Sequence, residues 1–160
     1  MTLPELLDRM VVCACGPLAQ RRRISLCAPG WRPCNWEITA FHEAGHLACD
    51  LLGGGMTVTS ATIEPVQVAT GEWILGAVSN RTEDPEAYRA RTHSTDAEKL
   101  VEAVRLLTRD RKQRVELVRM VRQSGEMFLT ENWPTVHRLA HALMRSLTLS
   151  RAQIDAILAA

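Results

Sequence analysis

Residues 35–55 read NWEITAFHEAGHLACDLLGGG, and this stretch organises the fold around one amphipathic helix. Asn35 is a good helix N-cap, and Glu37 lies in the first turn. We expect the helix to end at Gly53-Gly54-Gly55, because glycine adopts the left-handed C-terminal conformation without a steric cost. The sequence therefore predicts a helix that begins near Asn35 and stops at the glycines.

Two histidines of this helix, His42 and His46, are spaced as metal ligands. They are four residues apart, so they share one helix face and their ring nitrogens can converge on one metal ion at ~2.0–2.1 Å. Glu43 is awkwardly placed to ligate as well, but it can reach a metal-bound water and act as a general base. Zinc lowers the pKa of such a water towards ~7. The pattern therefore indicates a zinc hydrolase site with Glu43 as the catalytic residue.

The two histidines leave a catalytic zinc site incomplete, because such a site has a third protein ligand and one open position. Asp96 is one candidate, but an acidic residue in the first turn of a helix is also explained by the helix dipole alone. The residues by themselves leave the choice open among five candidates: Glu64, Glu72, Asp84, His93 and Asp96.

The rest of the chain predicts a mainly α fold with a small β-sheet, in a single domain over residues 1–160. Apolar residues recur at helical spacing in most of the chain, whereas β-branched residues concentrate after the triple glycine and predict two or three short strands. We expect a helix and an irregular stretch at 1–34, the metal-binding helix at 35–55, the sheet at 56–79 and C-terminal helices at 95–160.

Short motifs predict where individual helices begin and end. Thr95-x-x-Glu98 and Ser150-x-x-Gln153 fit capping boxes and predict two helix starts. Asp84-Pro85 could start a short helix. Trp133-Pro134 predicts a boundary or kink in the C-terminal helices, since the residue before a proline disfavours the helical conformation.

Composition bounds the function classes. The 160 residues are 46% hydrophobic and 23% charged, as in ordinary soluble proteins, and the net charge of +1 argues against nucleic acid or an anionic membrane as the main partner. No apolar run approaches the ~20 residues of a membrane span. Glu5 and Asp8 lie where a signal peptide would carry positive charge. We therefore expect a cytoplasmic protein with no membrane span and no nucleic-acid partner.

The five cysteines are an odd number, which favours free thiols or metal ligands over a secreted disulfide framework. Four of them could supply thiolates for a second, structural zinc: Cys13, Cys15, Cys27 and Cys34. Their spacing is not the usual one for a zinc-binding pair, and we favour buried apolar packing for Cys13 and Cys15. We expect Cys49 to pack under the metal site without ligating the ion.

A second histidine pair, His137 and His141, has the same four-residue spacing. It lacks a glutamate at the second position and an evident partner ligand. We therefore interpret the pair as a polar edge of the C-terminal helices rather than as metal ligands.

The segment TAFHEAGHLA, residues 39–48, resembles the peptidase helix of the FtsH family of membrane-bound AAA zinc proteases, whose motif is HEAGH preceded by an aromatic residue. Thr62-Ile63-Glu64-Pro65 is similar to the Ile-x-Pro element that follows in that family. Trp133–Leu158 resembles the closing helices of the family's peptidase domain. The resemblance covers most of residues 36–158 and implies a helical, zincin-like peptidase domain.

Two further similarities imply site residues. Ser94-Thr95-Asp96-Ala97-Glu98 is similar to the family's Ser-Asn-Asp-Ile-Glu segment, whose aspartate is the third zinc ligand. The resemblance therefore implies Asp96 as the third ligand beside His42 and His46. The stretch after the Ile-x-Pro element occupies the place of the family's substrate-side edge strand, which implies substrate binding at Gly71, Glu72, Trp73 and Gly76.

The chain departs from the family pattern in two ways. It contains neither a GxxxxGK[ST] phosphate-binding loop nor a membrane span, so the ATPase that feeds substrates in the family is not part of this chain. The family's helix between the strands and the third ligand is also missing from that interval. Leu6–Val12 with Gly16–Gln20 resembles that helix, which implies a permuted helix order with Gln20 in place of the family's glutamate.

These features predict a zinc-dependent endopeptidase with one Zn²⁺ per chain, which hydrolyses a protein or peptide substrate by metal-activated water. One alternative is a catalytically inactive, peptidase-like helical module that binds zinc or a protein partner. Another is zinc with a structural role alone. An ATPase acting in trans is compatible with the sequence, but no sequence feature supports one.

Overall fold

The computed structural model describes residues 2–30, 33–53, 57–67, 71, 73–80 and 95–160. This part of the chain is mainly helical with a small antiparallel sheet, as the sequence predicts. The helices are α1 (Leu3–Ser25), α2 (Asn35–Leu52), α3 (Asp96–Leu107), α4 (Arg111–Ser146) and α5 (Arg151–Ala159), and the strands are β1 (Val58–Gln67), β2 (Trp73–Asn80) and β3 (Thr148–Ser150). No helix in these ranges is long and apolar enough to cross a membrane.

Side-chain capping boxes begin two of the helices at the predicted positions, and a third helix begins one residue from its predicted cap. The capping boxes at Thr95–Glu98 and Ser150–Gln153 are both formed, and they begin α3 and α5. α2 begins at Asn35, but its N-cap is Cys34, whose carbonyl oxygen accepts a hydrogen bond from the Ile38 N–H at 3.0 Å. The prediction of Asn35 as the N-cap is therefore wrong by one residue, because the first helical hydrogen bond already reaches back to Cys34.

The C-terminal end of α2 also differs from the prediction. The helix ends at Leu52, and the C-cap Gly53 has a right-handed conformation with φ −77°, so the left-handed glycine predicted there is wrong at this position. Its N–H still donates to the Cys49 carbonyl oxygen at 2.9 Å, which continues the helical hydrogen-bond pattern by one residue. The following Gly54-Gly55 and the predicted helix start at Asp84-Pro85 lie outside the described residues.

Helix α4 continues through Pro134, so of the boundary or kink predicted at this proline, the boundary is wrong. The reason lies in packing on both sides of it. Trp133 stacks on the buried ring of Phe41, with ring centroids 5.6 Å apart. Leu129 before the proline and Leu139 after it are both buried in the core. Burial of both halves of α4 in one core offsets the backbone hydrogen bond that the proline removes.

The sheet has β1 at its centre, paired antiparallel with β2 on one side and β3 on the other. Ala61 of β1 is opposite Val78 of β2 and Leu149 of β3. β2 is thus an edge strand among the described strands. Because β2 also contacts α2, this edge of the sheet lies beside the helix that carries His42 and His46.

Helices α1 and α2 approach each other closely at Gly45. A Cβ atom at this position would lie 2.6 Å from the Cys15 carbonyl oxygen and 2.8 Å from Ala19 Cβ. Only glycine fits between the two backbones at this separation. Gly125 of α4 is less constrained, because the nearest atom to a Cβ there would be Leu18 Cδ1 at 2.9 Å, the end of a flexible side chain.

We expect Gly45→Ala to lower the free energy of unfolding by about 1–3 kcal/mol, although alanine is intrinsically the better helix former, because α1 and α2 would have to separate. Gly125→Ala is the matched control, and it should change that free energy by less than about 1 kcal/mol since Leu18 can move aside. Urea denaturation followed by circular dichroism compares the two variants. A Gly45→Ala protein as stable as the wild type would contradict this packing.

Candidate metal centre

Three side chains from two helices meet at one point. His42 and His46 lie on one face of α2, and Asp96 is the first residue of α3. Asp96 Oδ2 is 2.9 Å from His42 Nε2 and 3.0 Å from His46 Nε2, and the two Nε2 atoms are 3.0 Å apart. The structure therefore brings Asp96, which is 50 residues beyond His46, into contact with both histidines.

The other candidates for a third ligand are placed differently or fall outside the described residues. Glu64 is exposed on β1, where its carboxylate accepts a hydrogen bond from the Thr148 hydroxyl at 3.1 Å. Glu72, Asp84 and His93 lie outside the described residues. Among the residues that are described, His42, His46 and Asp96 are the one group of three metal-type ligands whose atoms lie within 4.8 Å of one another.

Helix α1 orients both imidazole rings from behind. The Nδ1–H of His46 donates to the Val12 carbonyl oxygen at 2.8 Å, and His42 Nδ1 is 3.2 Å from Gln20 Oε1. A carbonyl oxygen can only accept, so each neutral ring carries its proton on Nδ1 and presents a lone pair on Nε2. Such partners fix the tautomer and the ring orientation of metal-ligating histidines in other proteins.

Three lone-pair-bearing atoms therefore face one another at 2.9–3.0 Å. A single proton lies between only two of them at a time, whereas a metal ion can contact all three. Tetrahedral zinc with ligands at ~2.0–2.1 Å keeps its ligand atoms about 3.3 Å apart, which is close to the observed separations. Two nitrogens and one carboxylate oxygen also match the donor types that zinc takes in catalytic sites. The residues present thus fit a zinc ion.

The electrostatics of the group favour positive charge. Burial alone lowers the pKa of His46, but the hydrogen bond and charge of Asp96 and the charge of Glu43 raise that pKa to about 9. For Asp96, burial raises the pKa, and the hydrogen bonds with His42 and His46 outweigh it and hold the pKa below the usual range. Both directions mean that Asp96 stays ionised and stabilises positive charge on His46.

Glu43 lies beside these three residues and is almost completely buried. Its residue is 6% exposed, and burial raises the pKa of its carboxyl, while His46 and His42 partly oppose the shift. Gly76 of β2 covers it: a Cβ there would lie 2.6 Å from Glu43 Oε1, and the φ of +85° at Gly76 also favours glycine. The edge strand of the sheet therefore passes directly against the carboxyl group of Glu43.

The four residues for which substrate binding is predicted have different placements. Gly76 is buried against Glu43, as described above. Trp73 is 64% exposed at the beginning of the edge strand β2. Gly71 is exposed, and its carbonyl oxygen accepts a hydrogen bond from the Gln67 side chain at 3.1 Å. Glu72 lies outside the described residues.

The cysteines do not join the metal group. Cys13, Cys15, Cys27 and Cys34 are all described, and they form no cluster of metal-ligand spacing with one another or with the histidines. Cys49 is buried one turn beyond His46, and a hydrogen bond with Cys49 together with burial raises the pKa of the Cys15 thiol. These two thiols belong to the contact between α1 and α2.

Two residues that shape the site are missed by the sequence analysis. Gly16 of α1 leaves room for the His46 ring, because a Cβ there would lie 2.3 Å from Nε2. Val12 orients the same ring through its backbone carbonyl. A glycine inside a predicted helix often marks a place where another group approaches the backbone closely, and this signal could have identified Gly16. Val12 acts through its backbone carbonyl, which every residue has, so its identity gives no such signal.

No protein-family model, curated protein or solved structure matches this chain. The geometry supplies three ligand atoms at metal-binding separations with a buried carboxyl group next to them.

We expect the purified protein to hold about one zinc ion per chain, and His46→Ala and Asp96→Ala to lose it, because each removes one of the three ligands. Removal of a hydrogen-bond partner of a ligand lowers metal affinity by about 10–100-fold. Removal of a ligand itself should lower the zinc affinity by more than this. Elemental mass spectrometry after dialysis measures the zinc content. Glu64→Ala is the control and should retain the ion. Zinc that survives both ligand substitutions would place the metal elsewhere in the chain.

Proposed function

We propose that this protein is a zinc-dependent endopeptidase. The observation that carries the proposal is the convergence of His42, His46 and Asp96 beside the buried carboxyl group of Glu43. A three-ligand site leaves one coordination position open, which catalytic zinc requires. The resemblance of residues 39–48 to the peptidase helix of the FtsH family supports the same function.

A zinc ion held by the three ligands would supply Lewis-acid chemistry, since it lowers the pKa of a water molecule and polarises a peptide carbonyl. Glu43 accepts a proton from the attacking water as the water oxygen bonds to the carbonyl carbon. Glu43 then delivers that proton to the amide nitrogen as the C–N bond breaks, which leaves a carboxylic acid and an amine. Burial raises the pKa of Glu43, which makes its carboxylate a better proton acceptor than a solvated carboxylate.

The edge strand β2 is the surface on which we propose that the substrate binds. An extended peptide can add to an exposed sheet edge through main-chain hydrogen bonds. β2 has β1 on one side, and its Gly76 lies against Glu43, so a peptide added along β2 would pass close to the general base. The predicted substrate residues Gly71, Glu72 and Trp73 precede Gly76 along the same stretch.

The proposed binding mode also bears on the kind of substrate. Addition to a sheet edge requires an extended backbone. We therefore propose unfolded proteins and flexible peptides as substrates.

We expect the zinc-loaded protein to cleave fluorescently labelled casein, and Glu43→Gln to lower that rate by about 10²–10⁴-fold, because the amide cannot accept the proton of the attacking water. Zinc content measured on the same sample should be unchanged, since Glu43 is not a ligand. Glu64→Gln is the matched carboxylate-to-amide control and should keep the wild-type rate.

The alternatives give different results in this assay. A zinc-loaded wild type without activity on unfolded substrates would favour the non-hydrolytic helical module. Activity that is equal in the wild type and in Glu43→Gln would come from another source and would contradict the proposed mechanism. A role for zinc in stability alone would appear as a lower melting temperature in His46→Ala with no proteolysis in any variant.

A further inference from the structure

The second histidine pair of the chain has the spacing of metal ligands in three dimensions as well as in sequence. His137 and His141 lie one turn apart on α4, and both are exposed. Their Nε2 atoms are 3.3 Å apart, and their ring centroids are 4.3 Å apart. This separation of the two nitrogen atoms matches the about 3.3 Å between neighbouring ligands of a tetrahedral ion at ~2.0–2.1 Å.

The buried ring of Phe41 packs against both imidazoles. The rings of His137 and His141 pack edge-to-face with the ring of Phe41 at centroid distances of 5.7 and 6.3 Å, with interplanar angles of 69° and 82°. Phe41 is fully buried and is itself stacked on Trp133, one turn before His137. The pair is therefore supported from below by a rigid surface, and preorganised ligands lose less conformational entropy when they bind an ion.

The charge near the pair is compatible with a bound cation. The positive charge of Arg23 acts on His137, and its guanidinium lies over the Phe41 ring, 5.5 Å from the ring centroid. The carboxylate of Glu37 contacts this guanidinium at 2.6 and 2.7 Å, and its negative charge offsets part of the arginine charge. Repulsion from Arg23 therefore weakens cation binding without preventing it.

We propose that His137 and His141 form a second metal site, which binds a divalent transition-metal ion through two imidazole nitrogens, with Cu²⁺ bound most tightly. Imidazole is a ligand for copper, nickel and zinc, and affinity for such donors increases along the series to Cu²⁺. Two protein ligands leave the remaining coordination positions to water or to a donor from outside the chain. This inference does not depend on the proposed peptidase function, because it uses neither the first metal group nor Glu43.

The test is a titration of the zinc-loaded protein with Cu²⁺, followed by electron paramagnetic resonance and by elemental analysis of both metals. The wild type should bind one copper ion with two nitrogen ligands in its spectrum while retaining its zinc. His137→Ala and His141→Ala should each weaken copper binding by about tenfold or more, which corresponds to about 1.4 kcal/mol or more. Both residues are exposed, so these variants should fold.

A variant with the same number of histidines at a different spacing, the register variant, distinguishes chelation by the spaced pair from binding by any two histidines. Arg138→His/His141→Ala keeps two histidines but places them on adjacent residues, which face different directions on a helix, so copper binding should be lost. Arg138→Ala should bind copper like the wild type. The proposal is overturned if copper enters only as zinc leaves, or if the register variant binds copper as tightly as the wild type.

Discussion

Three atoms that repel one another meet at one point in this fold: the Nε2 atoms of His42 and His46 and Oδ2 of Asp96. Like partial charges at 3 Å in a poorly solvated site are unfavourable unless a cation or proton joins them. The fold therefore holds these groups in an arrangement in which a bound positive ion would relieve their mutual repulsion. Helices α1, α2 and α3 all take part, since α2 carries the histidines, α3 the aspartate and α1 the groups that orient the rings.

The packing of α1 against α2 makes this arrangement rigid. Gly45 lets the backbones of the two helices touch, and Gly16 lets the His46 ring lie against α1, where Val12 accepts its Nδ1–H. A larger residue at either glycine would displace the helix or the ring. The glycine at position 45 of the HEAGH motif thus serves the contact between helices, while the two histidines of the motif face Asp96.

Local signals in the sequence predict much of this structure. The i, i+4 spacing of His42 and His46 and the capping box that begins α3 both act within one helical turn, so they can be read without the fold. Selecting Asp96 over Glu64 requires knowing that Asp96 lies close to His46, although 50 residues of chain separate them. Local spacing does not carry this information, and only the family resemblance pointed to Asp96. The boundary predicted at Pro134 is wrong for the same reason, because the packing that sustains α4 comes from Phe41 on another helix.

The most direct test of the central claim is the zinc K-edge X-ray absorption spectrum of the purified, zinc-loaded protein. The geometry predicts nitrogen and oxygen neighbours at ~2.0–2.2 Å, with the multiple-scattering pattern of two imidazole rings and no sulfur neighbour. A shell at ~2.3 Å would show thiolate ligation and would contradict the account, because it would assign the ion to the cysteines instead of to His42, His46 and Asp96.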